Sequence, residues 1–310
     1  MVKSKLRFRV PGGLGNQLFA YFCALYAAQK IDSAIELDFS SVDRSHYTST
    51  IPLLSMDFPH SLLNIKDGSL ESKVVHPKVF RIKNFFTKAI RNQRSNVFLP
   101  GFDTREYVDE FLERDALKNK GCLTVEGYFG DFSFYNAVDS ASRVVSLKNP
   151  SRQFSTLKAE FSSLPCAAVH HRLGDFLGLS ESVGLLGKDF YEMAFDLSRK
   201  LGITRFKIFT NDLSGSQEIF FKWGFNLKEL QWIDSNILSD PLENLLLMGS
   251  SNILVSSNST FSFWAGKLAS EICTNIYYPA EFRRDGFSEV KNIPSSWIPI
   301  KSSWITVGSQ

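Results

Sequence analysis

The sequence predicts an α/β protein of two lobes, each a parallel sheet with helices packed against it. Three observations carry that expectation. The chain of 310 residues is long enough for two ordinary α/β domains with a sizeable core in each. It opens with a strand, a glycine loop and a helix in immediate succession. Its second half alternates strand and helix segments, the pattern of a parallel sheet with helices on both faces.

The first strand is Leu6-Arg7-Phe8-Arg9-Val10, where apolar and basic residues alternate as they do when one face is in the core. The loop Pro11-Gly12-Gly13-Leu14-Gly15-Asn16-Gln17 follows. Leu18, Tyr21, Phe22, Leu25 and Ala28 then recur at helical spacing as far as Lys30, which completes a nucleotide-fold βα unit. Ala34 to Asp38 reads as the next strand. From about Ser40 to Lys120 periodicity is weak and loop signals are frequent. One helix face stands out there: Ile82, Phe85, Phe86, Ala89 and Ile90, with Arg81, Lys83, Lys88, Arg91 and Arg94 around the rest. A basic amphipathic helix over residues 81–94 is either the solvated outside of a lobe or a peripheral contact with an anionic membrane surface. Leu123 to Tyr128 gives another strand, running into Phe129-Gly130-Asp131-Phe132. The pattern relaxes around Asn149-Pro150-Ser151-Arg152, which places the boundary between lobes of residues 1–150 and 151–310.

In the second lobe Cys166 to Arg172 and Arg205 to Thr210 read as strands, with a helix from about Lys188 to Leu201 between them. A helix near Gln217 to Trp223 follows, then the apolar segment Leu242 to Met248, a strand from Asn252 to Ser256 and a helix from Thr260 to Leu268. No internal repeat or low-complexity tract interrupts them.

Composition narrows the function classes. Hydrophobic residues make up 44% and charged residues 22%, typical of a soluble globular protein, and the net charge of +3 is too small for a nucleic-acid binder. The four cysteines, Cys23, Cys122, Cys166 and Cys273, are far apart and form no C-x-x-C, so they read as reduced thiols. Pro11-Gly12-Gly13 falls where a signal peptide would need its apolar stretch, and the most apolar later run, Leu245 to Val255, is too short to span a bilayer. The expected location is the cytoplasm, at the inner face of the membrane if the basic helix touches it.

The chemistry gathers at strand ends. Val169-His170-His171-Arg172-Leu173-Gly174-Asp175 places an imidazole, a guanidinium and a carboxylate around a glycine turn, and alternation puts His170 and Arg172 on one side. A guanidinium fork beside an imidazole donor suits an anion such as a diphosphate. The bland reading is an ordinary Arg172–Asp175 ion pair. Asn252 to Gly266 runs from strand through Ser256-Ser257-Asn258-Ser259-Thr260-Phe261 into a helix, whose N-terminus attracts phosphate. Plain capping by Ser259 or Thr260 is the alternative there. At a third strand end, Asp212 in Phe209-Thr210-Asn211-Asp212 either accepts hydrogen bonds from a base or ribose or serves as a turn residue. No Asp-x-Asp occurs, and the five histidines form no metal constellation, so Arg172, His170 and backbone dipoles are left to neutralise a diphosphate leaving group. No metal and no cofactor is expected.

Taken in order and approximate spacing, Gly12-Gly13-Leu14-Gly15-Asn16-Gln17, the H-x-R-x-G-D of His170, Arg172, Gly174 and Asp175, and Asn258-Ser259-Thr260-Phe261-Ser262-Phe263-Trp264 resemble the α-1,2-fucosyltransferases, glycosyltransferase family 11. Glu126-Gly127-Tyr128-Phe129 and the segment ending at Asp212 also fall where that family carries similar residues. The resemblance spans almost the whole chain. It implies a GT-B fold, two Rossmann-like lobes with a cleft between them, and inverting transfer of L-fucose from GDP-β-L-fucose to a sugar hydroxyl, commonly O2 of a terminal galactose. It further implies that Arg172 and His170 contact the donor diphosphate, that the turn from Ser257 to Phe261 holds phosphate, and that Asn16 and Gln17 reach the cleft from the first lobe. The implied partners are GDP-fucose and an oligosaccharide acceptor, free or lipid-linked, with no nucleic acid. Leu173 stands where the family usually has a second arginine, Phe263 where it usually has tryptophan, and Gly130-Asp131 where glutamine-serine is common. Displacement at the anomeric carbon also needs a base for the acceptor hydroxyl, and Asp175, Asp131 and Glu126 are the candidates.

Two other classes fit parts of the sequence. A strand, a glycine loop, a helix and then Asp38 imitate a dinucleotide-binding oxidoreductase, but Leu18 stands where the third glycine of that fingerprint belongs. A non-catalytic glycan-binding protein would use Phe129, Phe132 and Trp264 as stacking platforms and would need no diphosphate site.

Overall fold

The structure is a computed structural model that describes residues 5–40, 42, 52–57, 61–66, 96–98, 105–113, 122–234, 237–288 and 290–305. The helix expected over residues 81–94 lies outside the described residues. The chain forms two compact units, Met1–His46 with Phe58–Val144 and Tyr47–Asp57 with Val145–Gln310. The boundary expected at residue 150 falls a little inside the second unit, which also takes in a short segment from the first half of the chain.

In the first unit β1 (Lys5–Arg9) leads into α1 (Leu14–Lys30), followed by β2 (Ile35–Asp38), β3 (Leu63–Lys66), β4 (Asn96–Phe98), α2 (Arg105–Phe111), β5 (Cys122–Glu126) and α3 (Ser133–Ala137). The strands make a parallel sheet in the order β3-β2-β1-β5-β4. Leu6, Phe8, Ile35, Leu37, Leu123 and Val125 are buried, as the alternation in β1 requires of one face. Helix α1 is apolar nearly all round and is buried accordingly. It packs on the segment after β5 through Phe19 with Phe132 and Phe22 with Tyr135. The intervening positions are polar: Arg7 pairs with Glu36 and Arg9 with Glu126, each across neighbouring strands. Phe129 and Phe132 are fully buried, with Phe129 against Phe8, so neither is a stacking platform for a glycan.

The second unit begins its regular structure with α4 (Arg152–Ser163), β6 (Ala167–His171), β7 (Leu185–Leu186), α5 (Lys188–Lys200) and β8 (Phe206–Thr210). It continues with α6 (Leu213–Lys222), β9 (Leu230–Ile233), α7 (Pro241–Met248), β10 (Ile253–Val255), α8 (Thr260–Lys267), β11 (Asn275–Pro279), β12 (Ile298–Ile300) and β13 (Trp304–Ile305). Six strands form a parallel sheet in the order β12-β11-β10-β6-β8-β9, and β13 pairs antiparallel with β7. β6 and β10 are buried at every position, and β8 is buried over Phe206–Phe209. The apolar core on this sheet includes Val169, Phe190, Tyr191, Phe195, Phe206, Ile208, Phe220 and Tyr277.

The strand order fixes where a ligand belongs. From β6 the chain adds β8 and β9 on one side and then crosses to lay β10, β11 and β12 on the other. The direction of winding therefore reverses between β6 and β10, and open α/β sheets bind ligands at the carboxyl ends of strands at such a point. Helix α4 and strands β9, β11 and β12 were not anticipated from the sequence. No helix among the described residues is long and apolar enough to cross a membrane.

Candidate functional site

β6 lies between β10 and β8, so the residues that follow these three strands come together: Arg172 to Asp175, Ser256 to Thr260, and Asn211 with Asp212. The alternation of β6 sends its two histidines to different partners. His170 is buried, its Nδ1 2.7 Å from Ser257 Oγ and its ring 5.6 Å from that of Phe261. His171 is buried among Tyr191, Phe220 and Trp223, with Nδ1 2.7 Å from Ser216 Oγ. Burial disfavours the charged imidazole of both. It pushes His170 well below its ordinary value, helped by the charges of Arg172 and His171, and takes His171 down to about 3 against an opposing pull from Asp212. Both rings are neutral near pH 7. The expectation of two basic groups is therefore corrected: Arg172 is the cation of this strand end and His170 a neutral hydrogen-bonding group.

Arg172 Nη2 donates to Asp175 Oδ2 at 2.8 Å, and its guanidinium lies 5.7 Å from the centre of the Phe176 ring. The ion pair of the bland reading is present. It does not satisfy the guanidinium, because Nε is buried and makes no hydrogen bond. A buried donor without a partner costs about 1–3 kcal/mol, and here it stands at the place where the topology calls for a ligand. Asp175 Oδ1 accepts from Asn211 Nδ2 at 3.0 Å, so both carboxylate oxygens are engaged.

Leu173 is buried against the first turn of α6, where a Cβ added to Gly215 would meet Leu173 Cδ2 at 2.8 Å. Its side chain thus points into the core beneath α6. Phe263 is likewise a core residue, packed edge-on against Phe282 and Trp297.

The other residues singled out in the sequence are placed as follows. Ser257 is buried and commits its hydroxyl to His170. Asn258 is buried and donates to the carbonyls of Val183 and Gly184 at 3.3 and 3.1 Å, tying the turn before α8 to the loop before β7. Ser259 is the N-cap residue of α8 but makes no side-chain cap, so simple capping by this residue is not what occurs. Thr260 and Phe261 are half-buried in the first turn of α8. Asp212 caps α6, accepting from Gly215 N at 3.0 Å, which is the turn role weighed for it. Trp264 is fully buried, so it offers no stacking surface either.

In the first unit Gln17 is fully buried, and its Nε2 donates to the Gly12 carbonyl at 2.8 Å, closing the glycine loop. Gly12 has φ +50°, and a Cβ there would also crowd Asn16 Nδ2 at 3.3 Å. Asp131 is buried, its two oxygens accepting from Ser133 N at 2.7 Å and Arg105 N at 3.4 Å, and Glu126 pairs with Arg9. Asp38 is buried and accepts from Ser40 N at 2.9 Å, so it is not presented to a ribose. Among the described residues no group of three or more His, Cys, Asp or Glu side chains is placed to hold a metal ion.

Sequence reasoning missed Asn211. The signal was the glycine at 174, because a Cβ there would meet Asn211 Nδ2 at 2.8 Å.

No protein-family model matches the chain, and no curated protein matches it in sequence. Solved structures do match. POFUT1 in complex with GDP-fucose aligns at 12% identity over 86% of this chain and 93% of that one, with a TM-score of 0.51. The fucosyltransferase NodZ from Bradyrhizobium aligns at 14% identity over the same shares, also at 0.51. POFUT1 in complex with GDP aligns at 13% identity over 90% of this chain and 98% of that one, at 0.50. The fold is thus that of GT-B glycosyltransferases, α/β with two Rossmann-like lobes.

Proposed function

We propose that this protein is an inverting glycosyltransferase that moves L-fucose from GDP-β-L-fucose to a sugar hydroxyl, as its resemblance to the α-1,2-fucosyltransferases suggests. The observation that carries the reading is Arg172, a guanidinium with a buried, unpartnered Nε at the winding-reversal point of the second sheet. The N-terminus of α8, which the Ser259 side chain does not cap, stands at the end of the neighbouring strand and supports a diphosphate there. The structural neighbours solved with GDP-fucose and GDP support a guanosine donor. In this mechanism the acceptor oxygen attacks the anomeric carbon, the carbon–phosphate oxygen bond breaks, and GDP departs with the electron pair. Arg172 meets the charge that grows on the diphosphate, and neutral His170 adds a hydrogen bond without adding charge. Asp175, Asp131 and Glu126, the candidate bases, are each already engaged by a cation or by backbone N–H groups.

The finer reading is an α-1,2 linkage to O2 of a terminal galactose on an oligosaccharide, free or lipid-linked, made in the cytoplasm without a metal ion. It rests on the ordered motifs. The reading as a glycan-binding protein loses its support with the burial of Phe129, Phe132 and Trp264. A donor-hydrolysis screen across GDP- and UDP-sugars, followed by an acceptor array in excess EDTA, tests the proposal. Selective turnover of GDP-fucose is expected. Selective turnover of a UDP-sugar, or rate lost in chelator and restored by Mg²⁺, would overturn it.

A further inference from the structure

Asn211 stands just beyond β8. Its side chain reaches across to the loop after β6. Its Oδ1 accepts from Leu173 N at 3.0 Å and its Nδ2 donates to Asp175 Oδ1 at 3.0 Å. Between those two contacts lies Gly174, so close that a Cβ would sit 2.8 Å from Asn211 Nδ2. The amide therefore grips the backbone on one side of Gly174 and the carboxylate on the other. Asp175 in turn holds Arg172 Nη2 at 2.8 Å.

We infer that Asn211 is a positioning residue for Arg172: it fixes Leu173 and Asp175, and through them sets the guanidinium so that its unpaired Nε faces the anion. The inference rests on the reading of this strand end as a GDP site. The geometry gives each contact a separate function. The bond to Leu173 N holds the turn at a residue whose side chain is locked beneath α6. The bond to Asp175 leaves that carboxylate one free direction, toward Arg172. Without the amide the carboxylate, half exposed at 53%, is free to rotate and the fork loses its fixed orientation.

The test is calorimetric titration of the full chain with GDP, alongside thermal melting. Asn211→Ala is expected to weaken GDP about five- to tenfold, the usual net worth of one intramolecular hydrogen bond. Asn211→Asp keeps an acceptor for Leu173 N but sets a carboxylate against Asp175, and is expected to weaken GDP at least as much. Adding Asp175→Asn to that variant restores a donor–acceptor pair with its direction reversed, so affinity should recover. A role confined to holding the loop would give no such recovery. GDP affinity within about twofold of the unaltered chain in both single variants, with melting unchanged, would overturn the inference. If the unaltered chain itself fails to bind GDP, the functional reading falls, yet the inference is still read out directly. The Arg172 Nε–H signal in ¹⁵N spectra, identified by its loss in Arg172→Lys, must shift or broaden in Asn211→Ala, and an unmoved signal refutes the positioning role.

Discussion

The two sheets of this protein handle charge differently. In the first, charges lie on the sheet face and come as cross-strand pairs, Arg7 with Glu36 and Arg9 with Glu126. In the second, the central strands are buried on both faces, and the buried ammonium of Lys207 is met by Glu160 Oε1 at 2.5 Å and by Gln231 Oε1. Arg172 differs in its place. It stands past the end of its strand, has a partner for one nitrogen and leaves another buried without one. Arg9 Nε and Arg205 Nη1 are likewise buried without a partner, so it is the position of Arg172 beyond the strand end, at the winding-reversal point, that sets it apart. The proposed donor site rests on that position together with the unmet nitrogen.

The sharpest way to break this contrast is at Arg172. Arg172→Ala should lower transfer by about 10²- to 10³-fold, the scale seen when a donor to developing charge is removed, while leaving the melting temperature close to that of the unaltered chain. Arg172→Lys should rescue poorly, because an ammonium cannot reproduce the planar fork. Turnover and melting measured on both variants decide it, and a lysine variant with full activity would place Arg172 among the merely structural cations.

The next effect concerns the paired histidines at the same strand end. Both are held below the ordinary value in the folded state, so the unfolded chain binds more protons as pH falls. Their contribution to stability is complete above about pH 6.5 and is lost progressively below it, down to about 3 for His171. At pH 5 His171 is expected to cost about 2 kcal/mol, and His170 adds to the loss in the same direction. Melting curves from pH 7 to pH 5 measure the slope, and His171→Phe, which keeps an aromatic ring in the cage of Tyr191, Phe220 and Trp223, should reduce it.

How much of this was legible in the sequence depended on where the physical cause lay. β1 showed because charge alternates with core residues, and α5 showed because its apolar face repeats over thirteen residues. β12 did not, since Ile298-Pro299-Ile300 carries a proline that argues against a strand; it is tolerated because β12 is the edge of the sheet. α4 was hidden in what looked like a boundary, although Ser151 caps it and Phe154, Leu157 and Phe161 mark its buried face. α6 begins several residues earlier than its apolar pattern suggests because Asp212 caps it. The guanidinium chemistry of Arg172 was legible from the residue type. The roles of Asn211, Ser257 and Asn258 were not, because each is set by a partner on a neighbouring strand or loop, which only the strand order reveals.

A smaller effect sharpens the contrast at the head of α8. If Ser259 and Thr260 serve a ligand at the head of α8, alanine at both should weaken GDP by about tenfold or more with little change in melting, since charge-assisted bonds are the stronger ones. If they serve the helix alone, the double variant should lose about 1 kcal/mol of stability and keep its GDP affinity. Calorimetry beside thermal melting separates the two outcomes.

The smallest effect is expected at Lys207, a buried cation within the second sheet. Its ammonium is buried on the face of β8, between Glu160 and Gln231 and 5.2 Å from the centre of the Phe161 ring. Replacing a well-partnered buried charge by an apolar residue of similar shape is often neutral, because the desolvation cost disappears together with the attraction. Lys207→Met should therefore stay within about 1 kcal/mol of the unaltered chain and leave GDP affinity and transfer unchanged. Glu160→Ala should cost more, because it strips the carboxylate from a charge that remains buried. The order of these two variants in a denaturant titration is the informative result. If Lys207→Met also lowered GDP affinity, the distinction between a cation within the sheet and the one at the winding-reversal point would fail, and the position of Arg172 would no longer set it apart.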